Sequence, residues 1–186
     1  GGTASLIAGG GISDYEGEIA VSDTTFKNNQ SDELGGGTHT FHSYASFENV
    51  RYIKNKASQG GGHYSQKDFS AFISDSLFKK NKANIDPYYQ NTKQIGGAVA
   101  IYLSEFKLRD LDVIANGTAG SNGGIYIKNG FGSINKCTIK DNEHHGLQIS
   151  GGGSSVVIQK TTSCQNGSKD VKGSYIDYGN NAICKE

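Results

Sequence analysis

The sequence lacks several features that would place it in a common class. Its 186 residues include one proline and no methionine, and the 18 lysine and arginine residues balance 18 aspartate and glutamate residues. Nucleic acids and anionic membranes attract basic surfaces, so a neutral chain predicts neither partner. No apolar run approaches the roughly 20 residues that span a bilayer. The 27 glycines follow no G-X-Y period, which excludes collagen.

The start of the chain also lacks features of a complete protein. It opens on Gly1-Gly2, with neither an initiating methionine nor a signal peptide. We therefore expect residues 1–186 to be a single domain cut from a longer chain.

An internal repeat becomes visible when asparagines are aligned. They recur at intervals of 26, 26, 35, 26 and 24 residues, and the members are Asn29, Asn55, Asn81, Asn116, Asn142 and Asn166. The long interval predicts a loop inserted at residues 84–95, since removing about nine residues there restores the period. Asparagine tolerates the left-handed conformation, and amide side chains in stacked coils can hydrogen-bond to one another. The repeat therefore predicts a structural asparagine ladder.

The residues around each asparagine repeat with it. Eight positions earlier, every repeat has an apolar residue: Val21, Phe47, Ile73, Leu108, Ile134 and Ile158. Glycine pairs also recur at the same position within the repeat, and short runs of alternating apolar and polar residues follow them, such as Gly124-Ile125-Tyr126-Ile127. Alternation with period two is typical of half-buried strands, and glycine suits tight corners.

These patterns predict an all-β fold, a right-handed parallel β-helix of about six to seven coils. One coil cannot bury its own apolar face, but stacked coils pair strand on strand. Parallel crossover connections are right-handed in nearly all proteins, which sets the expected hand.

The two motifs, Phe-x-x-Asn and Gly-Gly-Ala/Ile, resemble the repeats of chlamydial polymorphic outer-membrane proteins, and more distantly the pectin-lyase-like superfamily. They are present as Phe26-Lys27-Asn28-Asn29, Phe78-Lys79-Lys80-Asn81 and Gly124-Ile125, and the resemblance covers nearly the whole chain. It implies a surface-exposed, adhesive β-helix module. The distant kinship implies enzymes that act on polysaccharides. Both motifs belong to the scaffold, so the resemblance concerns fold more than activity.

No set of catalytic residues is defined by the sequence. A polar column stands six residues before the asparagines: Asp23, Asn49, Asp75, Asp110, Lys136 and Lys160. Its mixture of acids, amide and lysines favours turn chemistry over a calcium site or an acid–base pair. Of the five histidines, His39, His42 and His63 fall near one another, but His63 is expected to point inward as a hydrogen-bonded residue. We therefore expect no metal site and no cofactor.

The strand after the glycines predicts a candidate binding surface. Alternation places an apolar and aromatic stripe outward across several coils, made of His39, Phe41, Tyr64, Val99, Ile101 and Tyr126, with Gln148 in the same column. Aromatic rings on a flat sheet face can stack on sugars or contact a protein. The alternative is cross-strand packing that stiffens the sheet.

The three cysteines have one simple arrangement. No C-x-x-C motif is present, and an odd count predicts one disulfide and one free thiol. Cys137 falls in an inward column. Cys164 and Cys184 are expected to bond and to close a C-terminal coil at residues 164–186. Three N-x-Ser/Thr sequons begin at the ladder residues Asn29, Asn116 and Asn166, which we expect to be unglycosylated because they are buried.

The function expected from these features is that of a secreted or cell-surface structural and adhesive module. It would bind a glycan or a protein along a sheet face, and neighbouring β-helix domains stacked on its ends are a further expected partner. A polysaccharide lyase or hydrolase fragment is the alternative from another class, with a cleft beside residues 86–91 and Asp110. A spacer that assembles into a fibre is a third.

Overall fold

The computed structural model describes residues 3–4, 9–83, 95–120 and 122–184, which form strands and turns with no helix. None of these residues therefore forms a helix that could cross a membrane. The strands, in chain order, are β1 (Thr3–Ala4), β2 (Ile12–Tyr15), β3 (Glu18–Ser22), β4 (Thr25–Lys27), β5 (Gln30–Ser31), β6 (Thr38–Phe41), β7 (Tyr44–Glu48), β8 (Arg51–Ile53), β9 (Lys56–Ala57), β10 (His63–Gln66), β11 (Ser70–Ser74), β12 (Leu77–Lys79), β13 (Lys82–Ala83), β14 (Val99–Tyr102), β15 (Glu105–Arg109), β16 (Asp112–Ile114), β17 (Gly117–Thr118), β18 (Asn122–Lys128), β19 (Phe131–Asn135), β20 (Thr138–Lys140), β21 (His145–Ser150), β22 (Ser155–Gln159), β23 (Thr162–Cys164), β24 (Val171–Lys172), β25 (Ile176–Asp177) and β26 (Ala182–Ile183).

Successive strands belong to different sheets, and sheets B, C and D gain one strand per coil, whereas sheet A gains its last described strand at β17. The four sheets are A (β1, β5, β9, β13, β17), B (β2, β6, β10, β14, β18, β21, β24), C (β3, β7, β11, β15, β19, β22, β25) and D (β4, β8, β12, β16, β20, β23, β26). Neighbouring strands pair in parallel, so that Phe47 of β7 lies beside Ile73 of β11, and Ile73 beside Leu108 of β15. The chain is a parallel β-solenoid of about six turns, which confirms the predicted fold class.

Single residues in the left-handed conformation form the corners between sheets. All members of the predicted polar column have φ between 49° and 54°, at the corner between sheets C and D: Asp23, Asn49, Asp75, Asp110, Lys136 and Lys160. This confirms that the column serves turn geometry.

At the corner between sheets D and A, the left-handed residue precedes the ladder asparagine. Asn28 (φ 56°) and Lys54 (φ 55°) are examples. The ladder asparagine itself is therefore not the left-handed residue of this corner.

The ladder asparagines turn their side chains into the solenoid instead. Asn116 illustrates the repeating pattern: its Oδ1 accepts the backbone N–H of Asn81 at 2.9 Å and the side-chain amide of Asn81 at 3.0 Å. Its own Nδ2 donates to the carbonyl of Phe78 at 2.9 Å and to Oδ1 of Asn142 at 3.0 Å. The same bonds join the neighbouring pairs from Asn55 to Asn166. Each buried amide thus satisfies backbone groups that the corner leaves unpaired.

The ladder ends on a carboxylate. Asn166 has no asparagine in a following coil, and its backbone N–H and Nδ2 donate to Oδ1 of Asp170 at 3.0 and 2.7 Å. An aspartate fits this position because Asn166 needs an acceptor for its two N–H groups, and an ionised carboxylate accepts hydrogen bonds without donating any. Asp170 is fully buried. The sequence contained this signal only as an aspartate four residues after the last asparagine.

Between the sheets lies a continuous apolar core. The inward columns of sheets C and D are filled as predicted, and Phe47, Ile73 and Ile134 are completely buried. Phe26, Tyr52 and Phe78 stack across three coils at centroid separations of 5.3 and 4.4 Å. Ring stacking of this kind adds to the burial of apolar area.

Glycine at the corner between sheets A and B permits close approach of neighbouring coils. A Cβ atom on Gly61 would lie 2.5 Å from the carbonyl oxygens of both Gly97 and Lys82, a contact that no side chain could make. The left-handed residues at this corner are the glycines one position earlier, Gly60 (φ 60°) among them. The pair Gly61-Gly62 therefore serves close approach and the preceding glycine serves the turn, whereas in the pair Gly96-Gly97 the first glycine (φ 63°) serves the turn.

The inserted loop predicted at 84–95 lies outside the described residues, except for Ile95. On either side of this gap, Ala83 ends β13 and Ile95 forms a parallel bridge with Gln59. Both of these residues are buried.

The predicted disulfide is present. Cys164 and Cys184 are bonded with a Cα–Cα distance of 5.1 Å, and the bond joins β23 to the residue that follows β26. Cys137 is free and buried in an inward column, and burial raises the pKa of its thiol to about 12. A disulfide is typical of proteins that fold in an oxidising compartment.

Alkylation should distinguish the three cysteines. We expect iodoacetamide to modify none of them in the native protein, because thiolates are the reactive form and the Cys137 thiol is buried with a raised pKa. Intact mass should show one adduct after unfolding alone, and three after unfolding with a reductant. Three adducts without a reductant would contradict the disulfide, and an adduct in the native protein would contradict the burial of Cys137.

Candidate functional site

The predicted stripe on sheet B is wrong for two of its members. Val99 pairs with His63 and Ile125, and Ile101 pairs with Ser65 and Ile127, so both point into the core and are completely buried. The cause is the alignment of the glycines. Three consecutive glycines precede β6 and β10, whereas two precede β14, with Ala98 in the place of the third. The prediction aligned these two glycines with the last two of the three, which shifted β14 by one residue and exchanged its inward and outward faces.

The other members do point outward, but most are not exposed. His39 is 0%, Tyr64 4% and Tyr126 7% exposed, and Phe41 is half-buried. Tyr102 stacks between Tyr64 and Tyr126, with a centroid distance of 5.9 Å to each ring. The stripe is therefore not an open surface, and its rings pack against one another across strands as the alternative interpretation expected.

Exposed apolar side chains are concentrated on sheet C and at the corner before it. Among the described residues, every large apolar side chain that is about half exposed or more lies there or, for Tyr15, at the end of β2 next to that corner, and none lies on sheets A or D. The members are Tyr15, Tyr44, Phe69, Leu103, Phe131, Ile176 and Tyr178. Single exposed apolar residues are common, but their restriction to one side of a solenoid indicates an interaction surface.

A groove of about 520 Å³ lies on the outer face of sheet C. It crosses β15, β19 and β22, and the rings of Phe131 and Tyr178 line it at 53% and 64% exposure. Its polar lining combines a carboxylate, an ammonium group, two hydroxyls and two amides: Glu105, Lys107, Ser133, Ser155, Asn135 and Gln159. We call this surface the sheet C groove. Open aromatic rings beside several short hydrogen-bonding side chains are suited to a ligand with both apolar faces and hydroxyl groups.

A second cluster lies at the corner between sheets B and C in the first coils. Five rings form a chain in space: Tyr15 with Phe41 (5.3 Å), Phe41 with His42 (4.3 Å), His42 with Phe69 (6.1 Å) and Phe69 with Tyr44 (5.2 Å). We call it the aromatic corner. Its rings contact one another, so part of their apolar surface is already covered, unlike the rings of the sheet C groove.

The sequence contained the signal for both surfaces. Tyr44 stands three residues before Phe47, and Phe131 three before Ile134. An odd offset from an inward residue on a strand points outward. The prediction considered only the strand after the glycines and so missed these residues on the other sheet.

The first coils also hold a buried polar network. Asp68 accepts hydrogen bonds from the hydroxyls of Thr40 (2.5 Å) and Ser65 (2.6 Å) and from the backbone N–H of Ser43 (3.0 Å). Burial raises the pKa of Asp68 despite these bonds, which favour its charged form. The carboxyl is 3% exposed, so a substrate would not reach it.

Two histidines near this network are buried. The Nδ1 atom of His63 lies 2.8 Å from the hydroxyl of Thr38, and burial lowers the pKa of His63 to about 3. This confirms the inward, hydrogen-bonded placement expected for His63. His39 is outward-facing but covered, and burial lowers its pKa to about 4. Neither forms part of a metal site: within the described ranges, no three histidine, cysteine or carboxylate side chains could hold an ion together.

Of the residues expected for the alternative enzymatic function, the structure describes Asp110. Asp110 lies beside Arg109 and Lys136 in ion pairs of 3.3 and 3.9 Å at the corner between sheets C and D. The other half of that prediction, residues 86–91, lies outside the described residues. The three sequon asparagines are at most 8% exposed.

Comparisons with known proteins do not assign the chain to a family. No protein-family model matches it, and neither the curated proteins nor the solved structures contain a significant match. The assignment of the parallel solenoid therefore rests on the structure of this chain alone.

Proposed function

We propose that this chain is a ligand-binding module of an extracellular or cell-surface protein, and that the sheet C groove binds a glycan. The observation that carries the proposal is the restriction of exposed aromatic side chains to one side of the solenoid, next to a groove lined by amides and hydroxyls. The resemblance to adhesive β-helix proteins supports the same conclusion, as does the disulfide, which is typical of secreted proteins.

The chemistry of the groove favours a sugar chain. Phe131 and Tyr178 present ring faces on which pyranose rings can stack. Ser133 and Asn135 of β19 line the same groove, where hydroxyl and amide groups can exchange hydrogen bonds with sugar hydroxyls. Phe131 and these two polar residues belong to β19, and Tyr178 directly follows β25 of the same stacked sheet, so little backbone conformational entropy is lost on binding.

A glycan array followed by titration calorimetry with the bound oligosaccharide would test this proposal. We expect the double variant Phe131→Ala and Tyr178→Ala to bind at least about fivefold more weakly, because each stacked ring contributes about 0.5–1.5 kcal/mol. The matched control is Tyr44→Ala with Phe69→Ala, which also removes one tyrosine and one phenylalanine but takes them from the aromatic corner, outside the groove. It should bind as the parent chain does.

Circular dichroism would show that both double variants keep the fold. Absence of binding to any glycan would contradict the proposal. So would a loss of affinity confined to the control variant, since the ligand would then contact the aromatic corner.

A further inference from the structure

The corner between sheets D and A carries a concentration of unpaired positive charge in a chain whose net charge is zero. Six exposed lysines lie there within three coils: Lys27, Lys54, Lys56, Lys79, Lys80 and Lys82. We call this surface the lysine corner. Four of them line a groove of about 500 Å³ together with Asn28, Asn29 and Gln30, and no carboxylate contributes to that lining.

The register stacks these charges along the solenoid axis. Lys56 of β9 lies directly beside Lys82 of β13, and Lys54 and Lys80 occupy the same corner position one coil apart. Neighbouring strands are about 4.8 Å apart, and like charges placed side by side on adjacent strands destabilise a sheet. The result is a two-by-two array of ammonium groups beside one groove.

The described part of the chain does not pair this array with carboxylates. Ion pairs among the described residues lie at the corner between sheets C and D, where Arg109 contacts Asp75 and Asp110. No lysine of the lysine corner has a described carboxylate within ion-pair distance. Repulsion that the fold tolerates without an internal counter-charge would be relieved by an external anion.

We propose that the lysine corner binds a linear polyanionic glycan, with sulfate or carboxylate groups along its length, lying parallel to the solenoid axis. Each of two successive coils contributes one pair of ammonium groups to the groove. A linear polymer with anionic groups at regular intervals could pair with both rows. The groove is lined by lysines and amides without an aromatic ring, whereas single-stranded nucleic acids are held by base stacking on aromatic side chains. This proposal does not depend on the sheet C groove.

Affinity for heparin, a sulfated chain, and for alginate, a carboxylated chain, would test it in calorimetric titrations at several salt concentrations. The test variant replaces Lys54, Lys56, Lys80 and Lys82 with glutamine. The matched control replaces Lys67, Lys160, Lys169 and Lys172 with glutamine, which removes the same charge from other surfaces. Both sets include two left-handed positions, so the backbone cost of substitution is similar.

We expect the test variant to bind at least one of the two polymers more than tenfold more weakly, with a salt slope lower by about 3. The control should stay within about twofold of the parent chain. A preference for heparin would identify sulfate as the anion, and a preference for alginate would identify carboxylate. Equal losses in both variants, no binding to either polymer, or tighter binding to a single-stranded oligonucleotide would overturn the proposal.

Discussion

Replacing Asn116 with alanine should lower the free energy of unfolding by about 3–5 kcal/mol. The side chain accepts the backbone N–H and the side-chain amide of Asn81 and donates to the carbonyl of Phe78. All three groups are inside the solenoid, where water cannot replace the lost partner. Each unsatisfied buried group costs about 1–3 kcal/mol, and a hydrogen bond is lost with it.

Urea unfolding followed by circular dichroism would measure this loss. The control is Asp112→Ala in the same coil, whose exposed side chain forms no ion pair, and it should change stability by less than about 0.5 kcal/mol. A loss below about 1 kcal/mol for Asn116→Ala would show that the ladder is not a main source of stability. An alanine at Asn116 also removes the sequon, so the mass of the parent chain should be checked for a glycan first.

Acid should destabilise the protein through its buried histidines. The pKa values of His63 and His39 are lowered in the folded chain to about 3 and about 4, from 6.5 in the unfolded chain. Below about pH 6.5 the unfolded chain therefore binds protons that the folded chain does not. Each histidine then lowers stability by up to about 1.4 kcal/mol per pH unit, which gives roughly 5 kcal/mol for both between pH 6.5 and 4.5.

Asp68 acts in the opposite direction. Its pKa is raised by burial, so the folded chain binds this proton more readily, and stability from Asp68 increases as the pH falls. The histidine contribution is therefore best measured as a difference between variants. His63→Leu is suitable because Val99, Ile125 and Leu147 occupy the same inward column in later coils.

We expect the stability of His63→Leu, relative to the parent chain, to rise by about 2–3 kcal/mol between pH 7 and pH 4.5, as measured by urea unfolding at each pH. His144→Gln, at an exposed position, provides the comparison and should show a pH dependence close to that of the parent chain. A parallel shift of all three proteins with pH would contradict the burial of a neutral His63.

The placement of the candidate surfaces shows where sequence patterns are sufficient and where they are not. The inward columns of sheets C and D were predictable because apolar residues recur at a fixed offset from each asparagine, and a strand alternates its faces strictly. The same rule led to the wrong face for Val99 and Ile101, since one misaligned glycine exchanges every side chain of a strand. The burial of Tyr64 and Tyr126 was not predictable, because it depends on Tyr102 from a neighbouring coil.

The sequence by itself determined the solenoid: its period, its asparagine ladder, its one disulfide and the glycines at its corners follow from patterns that stacking makes regular. Only the tertiary structure decided which outward side chains remain exposed. It placed Phe131 and Tyr178 beside one groove and brought Lys56 next to Lys82. The physical reason is that the repeat specifies each residue's position within a coil, whereas exposure and charge pairing depend on the residues of the coils on either side.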